Sequence, residues 1–391
     1  MGDDWKPRMA DLGEASAPVG TRAAVVSVTD ANESSTSFAS PALQSADRGS
    51  VPAAIARGRW LSSDGEVTPP RTLSKPIDAL RKLGMRFARD EWGLGVVPQS
   101  AEDIVRNGIS QPVNWLPQIG PWDYLADPAC LALPDGGLIL FAEHLNHWVN
   151  RGEIWAARIP PSGELARADF RPWLRSSRHL SYPFPFHDEN RALFFMAESG
   201  EAGALHLWHE TGGVLNHVGP IIDLPVIDPT PWYDGTAWWL FCTLRNDGPH
   251  QKLHLFRAER LQGPWTAHAN NPVKVDRGSC RPAGPLFRAD GKLIRPAQDC
   301  SQTYGGAVVL HEVVRLDQGG FHEVPLRRLE PDAVYPDGLH TICPAGNVTI
   351  IDGKRWAFKA ADLPRKFIAW GFNRNRPLRK LTLPPTMRLP T

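Results

Sequence analysis

Asp127 and Asp228 each stand just before a proline at the start of an apolar stretch, in Tyr124-Leu-Ala-Asp127-Pro128 and Ile227-Asp228-Pro229-Thr230. Two carboxylates facing each other at short range are the minimal equipment for glycosidic bond chemistry, one as acid, the other as base or nucleophile. The plainer reading makes each Asp-Pro a turn initiator. Recurrence at equivalent places is what weighs for shared chemistry. Tyr182, Arg281 and His340 open comparable stretches. Guanidinium forks hold carboxylate or phosphate through paired hydrogen bonds, so Arg281 and Arg295, with Tyr182 and His340, also describe an anion site. The competing role for either arginine is structural pairing with Asp299.

The elements that would position these residues follow one plan. In Ile227–Thr243 an acid and Pro-Thr-Pro lead into a short strand, Asp234-Gly235 makes a turn, and Trp238-Trp239-Leu240-Phe241 forms the return strand. Asp-Gly between apolar runs is a strong hairpin signal. Tyr124–Phe141, His179–Met196 and Arg281–Ile294 repeat the plan through turns at Asp135-Gly136-Gly137, Asp188-Glu189-Asn190 and Asp290-Gly291. His340–Phe358 does so with a turn expected at Asp352-Gly353. A period of about 50 residues is that of propeller blades rather than a helical solenoid. The fold class expected is therefore all-β, a five-bladed β-propeller whose innermost strands line a channel and gather distant polar residues at one mouth.

Residues 1–50, rich in Ser, Ala, Asp and Thr, read as a disordered tail. Residues 51–115 form a lead-in that packs on the propeller or supplies its closing strand. It includes a helix over Pro76–Gly84, a strand over Asp90–Val97 and a helical turn or two over Ser100–Arg106. The propeller is expected over 116–373. The basic segment 374–391 is expected along the surface, or else completing the last blade.

Forty-three basic and 42 acidic side chains give a formal charge of +1, which makes no case for nucleic acid or an anionic membrane. Fifteen Trp against 5 Tyr suit blade cores and, slightly, sugar-stacking faces. Five cysteines without close spacing argue against a disulfide framework or zinc site; Cys280 and Cys300 read as reduced, buried thiols. His144-Leu-Asn-His147 lacks a nearby third ligand, so neither metal nor cofactor is expected. The opening MGDDWKPRM has no apolar core and no membrane-spanning run occurs, so a soluble, cytoplasmic protein of unspecified oligomeric state is expected.

The disposition of Asp127 and Asp228 resembles that of family 43 glycoside hydrolases. The resemblance implies an Asp base in the first blade and a second Asp, setting the acid's pKa, in the third. A closer likeness spans Trp92–Phe372. Tyr124-Leu-Ala-Asp127-Pro128, His179-Leu-Ser-Tyr182-Pro183, Ala197-Glu198-Ser199, Ile227-Asp228-Pro229-Thr230, Gly263-Pro264-Trp265, Asn271-Pro272, Arg281-Pro-Ala-Gly284, Arg295-Pro-Ala-Gln-Asp299 and Tyr304-Gly305 resemble the propeller domain of plant glucosamine inositolphosphorylceramide transferases and its stand-alone bacterial relatives. No nucleotide-sugar-binding transferase domain is legible, so the plant activity is not implied. The family 43 pattern also implies a Glu acid opening the fourth blade, where this chain has Arg281, which cannot donate a proton at working pH. Glu198, Glu143 and Asp299 are the substitute acids. Glu198 is preferred because it ends a buried apolar strand, where burial raises a carboxyl pKa; pairing to a channel arginine is its structural alternative. The activity expected is hydrolysis or transfer of a glycosyl unit, with a carbohydrate or sugar phosphate as partner. The alternatives are a glycoside phosphorylase, a non-catalytic glycan-binding propeller and a protein-interaction scaffold.

Overall fold

The computed structural model describes residues 88–160, 170–357 and 382–390, all within one compact unit, Thr72–Thr391. Strands group into five antiparallel sheets of four or five strands, a five-bladed β-propeller. Blade one runs outward from Asp123–Ala132 through Leu138–Asn146 and Arg151–Ile159 to Arg171–Leu174. The innermost strands of blades two, three and five are Ser181–His187, Val226–Tyr233 and Ile342–Ala345. Blade four begins with two short pieces, Arg281–Pro282 and Phe287–Ala289.

Apolar residues fill every junction between neighbouring blades, so the second strands of blades one to three are buried on both faces and carry long apolar runs. Phe141 of blade one meets Phe195 of blade two at 5.6 Å between ring centroids. Tyr182, Met196, Trp238 and Leu240 fill the next junction, and Trp239, Phe241, Cys280 and Leu286 the one after. Ile294, Val308 and Ile351 join blades four and five, while Leu94, Leu140 and Ile350 join five and one. All five cysteines are free thiols.

Strands from both ends of the described chain close the ring. Arg89–Val97 lies antiparallel to Val348–Ala357, from Arg89 opposite Ala357 to Val97 opposite Thr349, and Asn114–Trp115 adds the outer strand of blade five. A short helix, Ala101–Asn107, sits between them, capped by Ser100 Oγ accepting from Asp103 N at 3.1 Å. The expected turn at Asp352-Gly353 is not there. Both residues lie inside Val348–Ala357, and the hairpin turns at Gly346-Asn347 instead. Thr386–Arg388 adds to Val214–Ile222 at the edge of blade two, not to the last blade, whose outer positions Arg89–Val97 and Asn114–Trp115 already fill. The expected tail over 1–50 and helix over Pro76–Gly84 lie outside the described residues. Among those described, no helix is long and apolar enough to cross a membrane.

One local device recurs on the channel wall. The innermost strands of blades one, two and three each slip by one residue, between Ala126 and Ala129, Ser181 and Phe184, and Ile227 and Thr230. A residue-proline pair stands at every slip, and its first residue has positive φ: Asp127 51°, Tyr182 46° and Asp228 49°. Such backbone costs about 1–3 kcal/mol per residue for a side chain other than glycine. Proline is tolerated there because the channel edge of an innermost strand has no partner to receive an N–H. Blade four repeats the device with Gly284-Pro285, at φ 121°. A Cβ on Gly284 would stand 2.0 Å from the carbonyl oxygen of Ile342. Gly284→Ala is therefore expected to lower stability by about 2–4 kcal/mol, read as a fall in the urea midpoint at unchanged slope.

Candidate functional site at the channel

The slips turn backbone N–H groups toward carboxylates of adjacent blades. Asp127 N donates to Asp352 Oδ2 at 3.0 Å, Tyr182 N to Asp127 Oδ2 at 3.2 Å, and Asp228 N to Glu198 Oε2 at 3.2 Å. Facing them, the second strands contribute a ring of polar residues: Glu143, Glu198, Thr243, Gln298 and Asp352. Glu143, Glu198 and Thr243 pair with the residues just before the slips, Ala126, Ser181 and Ile227. Gln298 pairs with Arg281, and Asp352 N donates to Thr341 O at 3.3 Å.

His340 lies between two carboxylates. Its Nδ1 is 2.6 Å from Asp352 Oδ2 and its Nε2 is 3.3 Å from Asp127 Oδ1. Burial alone would lower its pKa, but Asp352 and Asp127 outweigh burial and hold it above the ordinary value. Asp352 also accepts the backbone N–H of His340 at 3.1 Å and of Thr341 at 2.9 Å, with no exposed surface left. Asp127 takes a further hydrogen bond from Thr341 Oγ1 at 3.0 Å. Burial pushes the Asp127 carboxyl up to about 6; His340 opposes the shift, while Asp228 and Asp352 add to it.

Asp228 is matched on the other side of the ring. Arg281 grips it with two bonds, Nε to Oδ2 at 2.6 Å and Nη2 to Oδ1 at 3.2 Å, and Gln298 Nε2 donates to Oδ2 at 3.0 Å. The Arg281 guanidinium also stacks on the Tyr304 ring, 4.8 Å from its centroid. Beside this group, the Glu198 carboxyl is held well above the usual range by burial and then by the Asp228 charge, against the pull of Arg281. Glu143 is raised in the same direction by burial and by Asp127. The His179 ring lies against it, Nε2 to Oε1 at 3.3 Å.

Asp127, Asp228, Glu198, Arg281 and His340 thus come together across the channel. Tyr182 is also there by its backbone, but its side chain ties blades: the hydroxyl bonds Thr230 Oγ1 at 2.9 Å and accepts Gly284 N–H at 2.8 Å. Arg295 and Asp299 are engaged elsewhere in blade four. Arg295 forms a buried two-bond pair with Glu323, both bonds 2.6 Å, and Asp299 pairs with Arg328. Their strand sends Gln298 to Asp228, and alternation carries residues 295 and 299 to its opposite face. The sequence reading passed over Gln298, Thr341 and Asp352 as site residues. A polar residue at the channel end of every second strand was the signal that could have found Gln298 and Asp352; Thr341, just before an innermost strand, carries no such mark.

Asp127, His340 and Asp352 also bring three ligand atoms within 4.8 Å of one another. An imidazole held toward its protonated form between two carboxylates is already accounted for as an ion-paired cluster. His144 and His147 have separate partners: His144 bonds Asp123 at 3.0 Å, and His147 contacts the Tyr124 ring. On the axis, Asp127, Pro128, Tyr182, Pro183, Gly284 and Thr341 line a cavity of about 90 Å³, room for about three waters at ~30 Å³ each. A larger cavity of about 610 Å³ lies on the outer part of blade three, against Trp239, Arg257 and His268, away from these carboxylates.

The model of the glucosamine inositolphosphorylceramide transferase 1 N-terminal family matches residues 105–332. The chain belongs to this family. The matched span contains Asp127, Glu143, Glu198, Asp228 and Arg281 and ends before His340 and Asp352. Glucosamine inositolphosphorylceramide transferase 1 of Oryza sativa subsp. japonica is 34% identical over 218 residues, 53% of this chain and 28% of that protein. The Arabidopsis thaliana protein of that name is 29% identical over 214 residues, 52% of this chain and 27% of its own length. The chain thus spans little more than a quarter of these curated relatives. Among solved structures, Zg3597, a family 117 glycoside hydrolase of Zobellia galactanivorans, aligns at a TM-score of 0.41 and 12% identity, over 59% of this chain and 84% of that one. The exo-beta-1,3-galactanase 1,3Gal43A of Clostridium thermocellum aligns at 0.41 and 10%, over 58% and 54%. Likeness at this level transfers no chemistry. Membership in the family makes this propeller a counterpart of the N-terminal part of those proteins.

Proposed function

We propose that the protein hydrolyses or transfers a glycosyl unit at the channel mouth, with Asp127 as general base or nucleophile, Glu198 as general acid and Asp228 orienting Glu198. The observation that carries this reading is the pairing of Asp228 with Glu198. The Asp228 N–H holds Glu198 Oε2, and burial, with the neighbouring Asp228 charge, raises the Glu198 proton affinity well above the usual carboxyl range. Asp127, hydrogen-bonded by Thr341 and flanked by His340, is pushed up to about 6. Two carboxyls whose surroundings separate their proton affinities are how an acid and a base coexist in one site. Glu198 would give its proton to the glycosidic oxygen as the C–O bond breaks. A water or acceptor hydroxyl would lose its proton to Asp127 as it attacks the anomeric carbon, or Asp127 would attack directly.

A neutral glycosyl unit fits this site better than an anionic one, because Arg281 is spent on Asp228 and Arg295 on Glu323. Phosphorolysis and sugar-phosphate binding are correspondingly less favoured. One observation supports a glycan-binding module instead: both Asp127 oxygens are already engaged, by Thr341, Tyr182 N–H and His340.

The test is turnover of a panel of aryl glycosides and oligosaccharides as a function of pH. The expected rate rises as pH increases through about 6, where Asp127 loses its proton. It falls again at higher pH once Glu198 loses the proton it must donate. Glu198→Gln should remove the high-pH limb along with most of the rate. Glycan binding with no turnover at any pH would assign the binding module.

A further inference from the structure

We infer that the outer edge of blade two carries a binding site for a divalent transition cation of the zinc or copper class, formed by His206 and His217 with solvent completing the coordination. This site is separate from the carboxylates of the channel. His206 stands on Leu205–Thr211 and His217 on the adjacent Val214–Ile222. Regular pairing sets His206 opposite Pro220 and His217 opposite Trp208. A register slip between His217 and Gly219, where Gly219 takes φ 128°, lets the two rings converge. His206 Nδ1 and His217 Nε2 are 3.0 Å apart, with ring planes inclined by 33°.

That separation suits shared ligation. Two nitrogens at 2.0–2.1 Å from a tetrahedral cation lie about 3.3 Å apart, so a few tenths of an ångström of ring movement admit the ion. An imidazole of ordinary pKa, about 6.5, is mostly neutral at pH 7 and so has a ring nitrogen able to ligate. In the metal-free pair one ring donates its N–H to the other. On binding, that proton moves to the far nitrogen of the same ring through solvent, so none is released overall. The Trp208 indole N–H, buried and without an acceptor among the described residues, lies beside His217 and could bond a water on the ion.

The position gives the ion a structural consequence. His217 N donates to Pro385 O at 2.8 Å, next to the strand Thr386–Arg388 that docks on the same edge. A bound cation would therefore tie the strand onto which the C-terminal segment adds to its inner neighbour Leu205–Thr211.

The experiment is calorimetric titration of the tag-free full chain with Zn²⁺ at neutral pH, with Co²⁺ absorption reporting nitrogen ligation. One site is expected, together with a Zn²⁺-dependent rise in Tm. Binding should weaken at least about tenfold in His217→Ala and in His206→Gln, the second variant guarding against a folding defect in the first. Asp352→Asn, which alters the channel trio, should leave the site intact. No binding by the wild type, or binding lost in Asp352→Asn and kept in both histidine variants, would overturn the inference.

Discussion

Asp127→Asn is expected to cut turnover by about 100- to 10,000-fold, the range lost when a general base is removed, while the chain still folds. The amide can still accept the Thr341 hydroxyl at the Oδ1 position. At the other position it presents N–H to the Tyr182 N–H, and the two donors repel. That conflict costs about 1–3 kcal/mol, a tolerable loss for a domain of ordinary stability. Kinetics on whichever glycoside the wild type cleaves, paired with urea unfolding of both proteins, separates the two effects. Undiminished turnover would remove Asp127 from the chemistry and leave it as the tie between blades one, two and five.

Asp352→Ala is expected to lower stability by about 3–5 kcal/mol, the cost of stripping the partner from a buried charge. Asp352 accepts three backbone N–H groups, from Asp127, His340 and Thr341, besides the His340 ring. The cost carries a pH signature. Asp352 and Asp127 raise the His340 pKa above 6.5, so the stabilisation is fully present below pH 6.5. It fades as pH rises through the raised value and the imidazole becomes neutral. The gap between wild type and variant, read from urea midpoints, should therefore be widest on the acid side. A loss below about 1 kcal/mol at every pH would mean His340 is not charged in the fold.

Four of the five blades were legible from their turns, since Asp-Gly and its variants mark hairpins through local backbone preference alone. The fifth was half legible. Asp352-Gly353 has the same composition as Asp234-Gly235, but the adjacent Gly346-Asn347 turns the chain first and leaves Asp352 on a strand, pointing at His340. The convergence of Asp127, Asp228 and His340 followed from the repeat. The fate of the arginines did not: Arg281 and Arg295 look alike in sequence, each directly before a proline. One reaches Asp228 across a blade junction and the other Glu323 within its own blade.

Strand-turn-strand periodicity, and with it the propeller and the residue-proline steps on its channel wall, came from local chemistry: turn residues and apolar runs. Which carboxylate meets which cation was decided by closing the ring. Asp127 and Asp352 are 225 positions apart and meet only because the first and fifth blades abut. A strand shows its side chains to alternate faces, and one extra residue at a slip reverses them. The neighbour on the chosen face is supplied by another blade, so no stretch of chain read alone contains it.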